Sequence, residues 1–144
     1  MRFWIKLHPT MSIYRLKNIF GGKWPKSFEF IDYEIQTALR KSDILVSGMS
    51  SVCLEAMALG IPTLVVERSN SFQYNPIPDE LNQDLWKKCN SVDSILKGIK
   101  QYKRRDEEEI SQHHQLGLQI REKYFEPVTK EGVLFFLRAD KPNF

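Results

Sequence analysis

The stretch from Ile44 to Val66 constrains this chain more than any other. An apolar run, Ile44-Leu45-Val46, leads into the small polar turn Ser47-Gly48-Met49-Ser50-Ser51. The turn opens an apolar helical pattern that stops at Gly60, and Pro62 begins a second apolar run, Thr63 to Val66. The order strand, turn, helix, strand predicts a βαβ unit. Neither apolar run alternates with polar residues, which suits parallel strands covered on both faces. Pro62 lacks a ladder donor and fits the first position of its strand. Gly60 stands where a helix ends in a left-handed residue.

Gly48 permits a tight turn, and Ser50 and Ser51 stand at the predicted helix start, where free N–H groups and the positive dipole end gather. With two hydroxyls added, the position suits a phosphate, or Ser51 serves only as an N-cap. Glu55 is the unusual residue. On a helical wheel it shares a stripe with Val52, Ala56 and Leu59, where a buried helix should carry no charge. It lies four residues after Ser51, one too many for a capping box. Either a ribose diol meets this carboxylate while its phosphate sits at the serines, or a basic residue from elsewhere pairs with it.

The remaining sequence extends this pattern. Arg2 to Leu7 reads as a strand that ends at His8-Pro9-Thr10, and Ser12 to Phe20 as a helix with a stripe of Ile13, Leu16, Ile19 and Phe20 stopped by Gly21-Gly22. Phe28 to Ile31 reads as the second strand and Tyr33 to Lys41 as the next helix. After the central unit, residues 68–82 read as a loop whose Phe72 and Tyr74 either stack on a base or pack the loop down. Asp84 to Lys88 reads as a short edge strand. Ser91 caps a helix whose apolar face is Val92, Ile95, Leu96, Ile99 and Tyr102. Glu107 to Tyr124 is a long polar helix with a weak stripe through Ile110, Leu116, Leu118 and Ile120, and Thr129 starts an apolar last helix through Leu137. That last helix closes this domain or reaches a partner.

The alternation predicts an α/β fold: a three-layer, Rossmann-like, doubly wound parallel sheet of about five strands with helices on both faces, in one domain spanning 1–144. A length of 144 residues allows a real core. Net charge is +3, too small to argue for nucleic acid. The charged run from Lys97 to Glu109 reads as a solvated face and turn of mixed charge, not a nucleic-acid patch. No apolar run reaches spanning length and no signal peptide is visible. Cys53 and Cys89 have no metal spacing and read as thiols of a reducing, cytoplasmic compartment. The adjacent His113 and His114 point about 100° apart on a helix and do not chelate together. No metal site and no cofactor are expected.

Ligands of open α/β sheets bind outside the carboxyl ends of the strands. If the first and third strands are neighbours, the His8-Pro9 turn and the Ser50-Ser51 turn flank one crevice. His8 then donates to a phosphate oxygen held at the serines, or it is a surface strand-end histidine.

Lys6-Leu7-His8-Pro9, followed at a distance by Ser47-Gly48-Met49-Ser50-Ser51 and Glu55 to Pro62, resembles the C-terminal half of GT-B glycosyltransferases. It is most similar to bacterial surface-polysaccharide enzymes with paired HP and SS motifs, a pairing shared by sialyltransferases, polysialyltransferases and CDP-glycerol-type polymerases. The tail from Tyr124 to Pro127 and its helix fits the same likeness. The resemblance implies a nucleotide-sugar site of Lys6, His8, Pro9, Ser47, Gly48, Ser50, Ser51 and Glu55. In it the serines hold the donor phosphates, Glu55 the ribose, and His8 the phosphate next to the departing bond. The implied donor is CMP-, UDP- or GDP-linked, and the acceptor is a glycan.

The chain departs from that family in two ways. The family has an N-terminal domain that usually carries the catalytic base, and a strand before the HP strand; neither is visible here. The expected strand order is therefore 2-1-3-4-5, and the chain is expected to be a piece of a longer enzyme or a half-enzyme needing a partner, with peripheral membrane association open to the full enzyme. The alternatives are a nucleotide-sugar epimerase of the same fold, for which acidic and histidine groups are few, and a flavodoxin-like interaction module that uses its apolar last helix.

Overall fold

The computed structural model describes residues 1–67, 75–81 and 83–137. Among the described residues the chain is α/β with parallel strands, as its sequence reads, but the five strands there form two sheets, of two and three strands, rather than one. It divides into two compact units, Met1–Ser42 and Asp43–Phe144.

In the first unit, β1 (Phe3–Ile5) pairs in parallel with β2 (Phe28–Phe30), with Trp4 opposite Glu29. The crossover helix α1 (Ile13–Ile19) starts at Ser12, whose hydroxyl accepts from the Tyr14 N–H at 3.2 Å. It stops at Gly21 and Gly22, both left-handed at φ 57° and 76°, where glycine carries no Cβ penalty. Ile13 and Leu16 of the predicted stripe are half-buried, whereas Ile19 and Phe20 are exposed. An aromatic cluster does much of the packing: Phe3 stacks on Phe28 at 4.7 Å and Trp24 on Phe30 at 4.5 Å, and the Trp24 indole donates to the Phe28 carbonyl. Helix α2 (Ile35–Arg40) buries Ala38 and Leu39.

In the second unit, β3 (Leu45–Ser47), β4 (Thr63–Val66) and β5 (Trp86–Cys89) form a parallel sheet in the order β3-β4-β5. Helix α3 (Val52–Met57) joins β3 to β4, completing the predicted βαβ unit. The central strand β4 is the most deeply buried: Thr63, Leu64 and Val65 are fully buried. Val65 packs with Cys53 and Met57 of α3, while Leu64 lies against Gly98 of α4 (Val92–Lys103), so helices cover both faces of this sheet. On the edge strand β3, Val46 is exposed, and the expected double-sided cover does not hold there.

Gly60 closes α3 at φ 73°. The Ile61 N–H reaches the Ala56 carbonyl and the Gly60 N–H the Met57 carbonyl, the paired bonds of a Schellman stop. Helix α5 (Glu107–Tyr124) then packs on α3. Its buried face is His113, Gly117 and Ile120; the predicted stripe is corrected in part, because Ile110 and Leu118 are exposed. On α4 the buried residues are Gly98, Ile99 and Tyr102, and Val92 and Leu96 lie outside. Helix α6 (Lys130–Phe136), capped by Thr129, buries none of its residues. No helix among the described residues is long and apolar enough to cross a membrane.

Candidate functional site

Parallel pairing brings the carboxyl ends of β3, β4 and β5 to one edge of the second sheet. Ser47, Gly48, Ser50 and Ser51 gather there, where β3 turns into α3, and Glu55 follows in the first turn of α3. The turn is held from beneath. Met49 packs against the core cluster, and the buried Cys53 thiol donates to the Gly48 carbonyl at 3.4 Å. Burial pushes the Cys53 thiol up, against lowering hydrogen bonds from the Ser50 backbone and the Ser47 side chain. That makes Cys53 an inert anchor rather than a nucleophile. Gly48, Ser50 and Ser51 are left at the surface.

Gly48 does not play the part its position suggests. Its φ is not left-handed, and a Cβ there would meet nothing within 4 Å. The turn does not require glycine; the residue leaves an open rim. Ser51 occupies the N-cap position in a right-handed helical conformation, φ −55° and ψ −26°, and its hydroxyl makes no capping bond. Its carbonyl accepts from the Leu54 and Glu55 N–H groups at 3.0 and 3.2 Å, and the Ser50 carbonyl from Cys53 at 3.0 Å. The ladder therefore begins a residue early, with both hydroxyls on its outer rim.

Glu55 is on the flank of α3, half-buried, while Cys53, Ala56 and Met57 make the buried face. The stripe it shares with Val52 and Leu59 is the half-buried side of the helix, so the carboxylate is not sunk among apolar groups.

Lys6, His8 and Pro9 lie together past the end of β1 in the first unit, all exposed. The His8 Nδ1 receives the Thr10 N–H at 3.3 Å and lies 2.8 Å from the Thr10 hydroxyl. An amide N–H can only donate, so Nδ1 is the acceptor and the ring proton sits on Nε2. His8 thus presents an N–H donor on its outer edge. Met11 N–H to the His8 carbonyl, at 2.8 Å, closes the turn.

Phe72 and Tyr74, the expected base-stacking pair, lie outside the described residues. Among the described residues no group of three metal-ligating side chains converges, and His113 and His114 diverge as expected, one buried and one exposed. Cys53 and Cys89 are both free and buried.

A second polar cluster sits at the opposite edge of the same sheet, and sequence reasoning missed it. Asp84, Lys87, Tyr102, Arg105, Glu109 and His113 line a cavity of 240 Å³. Tyr102 donates to the Asp84 carbonyl at 3.1 Å, and burial pushes its phenol well above the ordinary range. The chain matches no family model, no curated protein and no solved structure.

Proposed function

We propose that this chain is the donor-binding half of a glycosyltransferase that builds surface glycans from a nucleotide sugar. The observation that carries the reading is the Ser51 hydroxyl: it stands at a helix start on a braced turn without capping the helix. A helix mouth with two rim hydroxyls favours an anion. The donor phosphates bind Ser50 and Ser51, with Ser47 and Gly48 shaping the rim and Glu55 accepting from the ribose. In the first unit, His8 presents an Nε2–H that suits a phosphate oxygen, and Lys6 and Pro9 complete that motif. When an acceptor hydroxyl attacks the anomeric carbon, the sugar–phosphate bond breaks and charge grows on the departing nucleotide, which these donors stabilise. The base that takes the acceptor proton comes from a further domain or a partner chain. A Rossmann-like, doubly wound fold is part of this proposal.

Calorimetric and NMR titration with CMP-, UDP- and GDP-linked sugars tests it. One base class is expected to shift the amides of residues 47–55, and Ser51→Ala or Glu55→Ala is expected to weaken binding about tenfold, the loss of one good hydrogen bond. No shift with any donor at millimolar concentration overturns the reading.

A second reading, a non-enzymatic interaction module, is favoured by α6 and its C-cap, where Val133, Leu134, Phe135, Phe136 and Leu137 are all exposed. It predicts association in light scattering and indifference to nucleotides.

A further inference from the structure

Arg105 lies just past the end of α4, and its guanidinium ties three elements together. Nε donates to the Tyr102 carbonyl at 2.7 Å, one Nη to the Asp43 carbonyl before β3 at 3.3 Å, and the other Nη meets His113 Nδ1 on α5 at 3.0 Å. A guanidinium has donors and no acceptor, so this last bond exists only while Nδ1 offers its lone pair. His113 is therefore neutral, with its proton on Nε2. It is buried, edge-on to the Tyr102 ring at 6.0 Å. The backbone of the same residue abuts the end of α3: a Cβ on Gly60 would lie 3.0 Å from the His113 carbonyl oxygen. One residue of α5 is thus held through its side chain to α4 and the start of β3, and through its backbone against α3.

We propose that the Arg105–His113 contact is an acid-released latch. Protonation of His113 removes the acceptor that Arg105 needs, sets two cations against each other across 3.0 Å, and loosens the first half of α5 from α4 and β3. The groups facing His113 are Arg105 and Tyr102 from the end of α4, Glu109 from its own helix and Asp84 from the segment before β5, with Lys87 of β5 lining the same cavity. Burial first, then Arg105, disfavours the charged ring, and the two carboxylates oppose this without prevailing: the His113 pKa lies below 6.5. The sign follows. With a folded value below the unfolded one, the latch is fully present above the unfolded value and is lost as pH falls through the folded value. Ile120, farther along α5, stays in the core cluster, so the opening is local.

Amide hydrogen exchange of the full chain, corrected for intrinsic rates and run between about pH 7.5 and about pH 5, tests the latch. Protection of residues 107–116 is expected to fall about tenfold or more towards acid, with a midpoint that follows the His113 ring signal in NMR. His113→Gln, whose amide oxygen accepts from Arg105 at every pH, is expected to flatten that profile. An unchanged acid-dependent loss in H113Q overturns the proposal. Should that variant not fold, a wild-type His113 ring that titrates without any change in α5 protection overturns it equally.

Discussion

Gly117 of α5 lies so close to Gly60 that a Cβ on it would sit 2.5 Å from the Gly60 nitrogen and 2.9 Å from the Met57 carbonyl oxygen. Both obstacles are backbone, fixed by the Schellman stop of α3. The two glycines let α5 lie directly on the helix that carries the serine turn. Gly117→Ala is therefore expected to destabilise the second unit by about 1–3 kcal/mol, despite the gain in helix propensity. Gly98→Ala is the control. There the nearest atoms are the ends of the Leu64 side chain, at 2.6 Å, which can change rotamer. Its cost is expected to be the smaller, and urea unfolding of the two variants checks the ranking.

The Glu80 carboxylate accepts from the Tyr124 hydroxyl at 2.7 Å and from the Lys123 ammonium at 3.2 Å, which fastens residues 75–81 to the end of α5. The Tyr124 bond first, then backbone and Lys123 bonds, hold Glu80 down at about 2, from an ordinary 4.5. A carboxylate lowered on folding supports the fold above its unfolded value, and that support is lost as pH falls from 4.5 towards about 2. Carboxyl-carbon NMR is expected to give this low midpoint, and Tyr124→Phe to raise it towards the ordinary value. An unmoved midpoint in Y124F contradicts the assignment of Tyr124 as the main cause.

Cys53 and Cys89 are both buried, and burial pushes the Cys53 thiol up. Thiolate is the reactive form, so native protein is expected to resist iodoacetamide at neutral pH and to be alkylated only as it unfolds. Mass spectrometry across a denaturant series reads this directly. Rapid native labelling of Cys53 contradicts the role given to it beneath the turn.

Local signals in this sequence read through to structure, and long-range ones did not. Ser12, Ser91, Thr129, Gly21-Gly22 and Gly60 start or stop the helices where their chemistry says they should, because a cap is settled within three or four residues. Asp106-x-x-Glu109 carried the same signal, yet it reads at first as part of a charged turn; it is a full capping box. The half-burial of Glu55 and the exposure of Val46 depend on which faces other elements cover, and no local pattern fixes that. The division into two sheets is of the same kind: each short strand supplies few ladder bonds, and its partners are set by distant parts of the chain. Arg105 and His113 meet across the corner between α4 and α5, eight residues apart, and only the spacing His113, Gly117, Ile120 hinted that this histidine faces inward.

The sharpest test of the serine turn compares two serines that hold the same position in different helices. Ser91 caps α4 in a full box: its hydroxyl accepts from the Ser94 N–H at 3.2 Å, and the Ser94 hydroxyl receives the Ser91 N–H at 3.1 Å. Ser51 begins α3 without such a bond. Ser91→Ala is expected to cost about 1 kcal/mol, the ordinary worth of an N-cap. Ser51→Ala removes no cap and is expected to leave stability within about 0.5 kcal/mol. If the Ser51 hydroxyl serves a ligand, the same substitution weakens nucleotide-sugar binding while the melting curve stays in place. A Ser51→Ala variant that melts as early as Ser91→Ala would make Ser51 a structural cap and remove the observation on which the donor site rests.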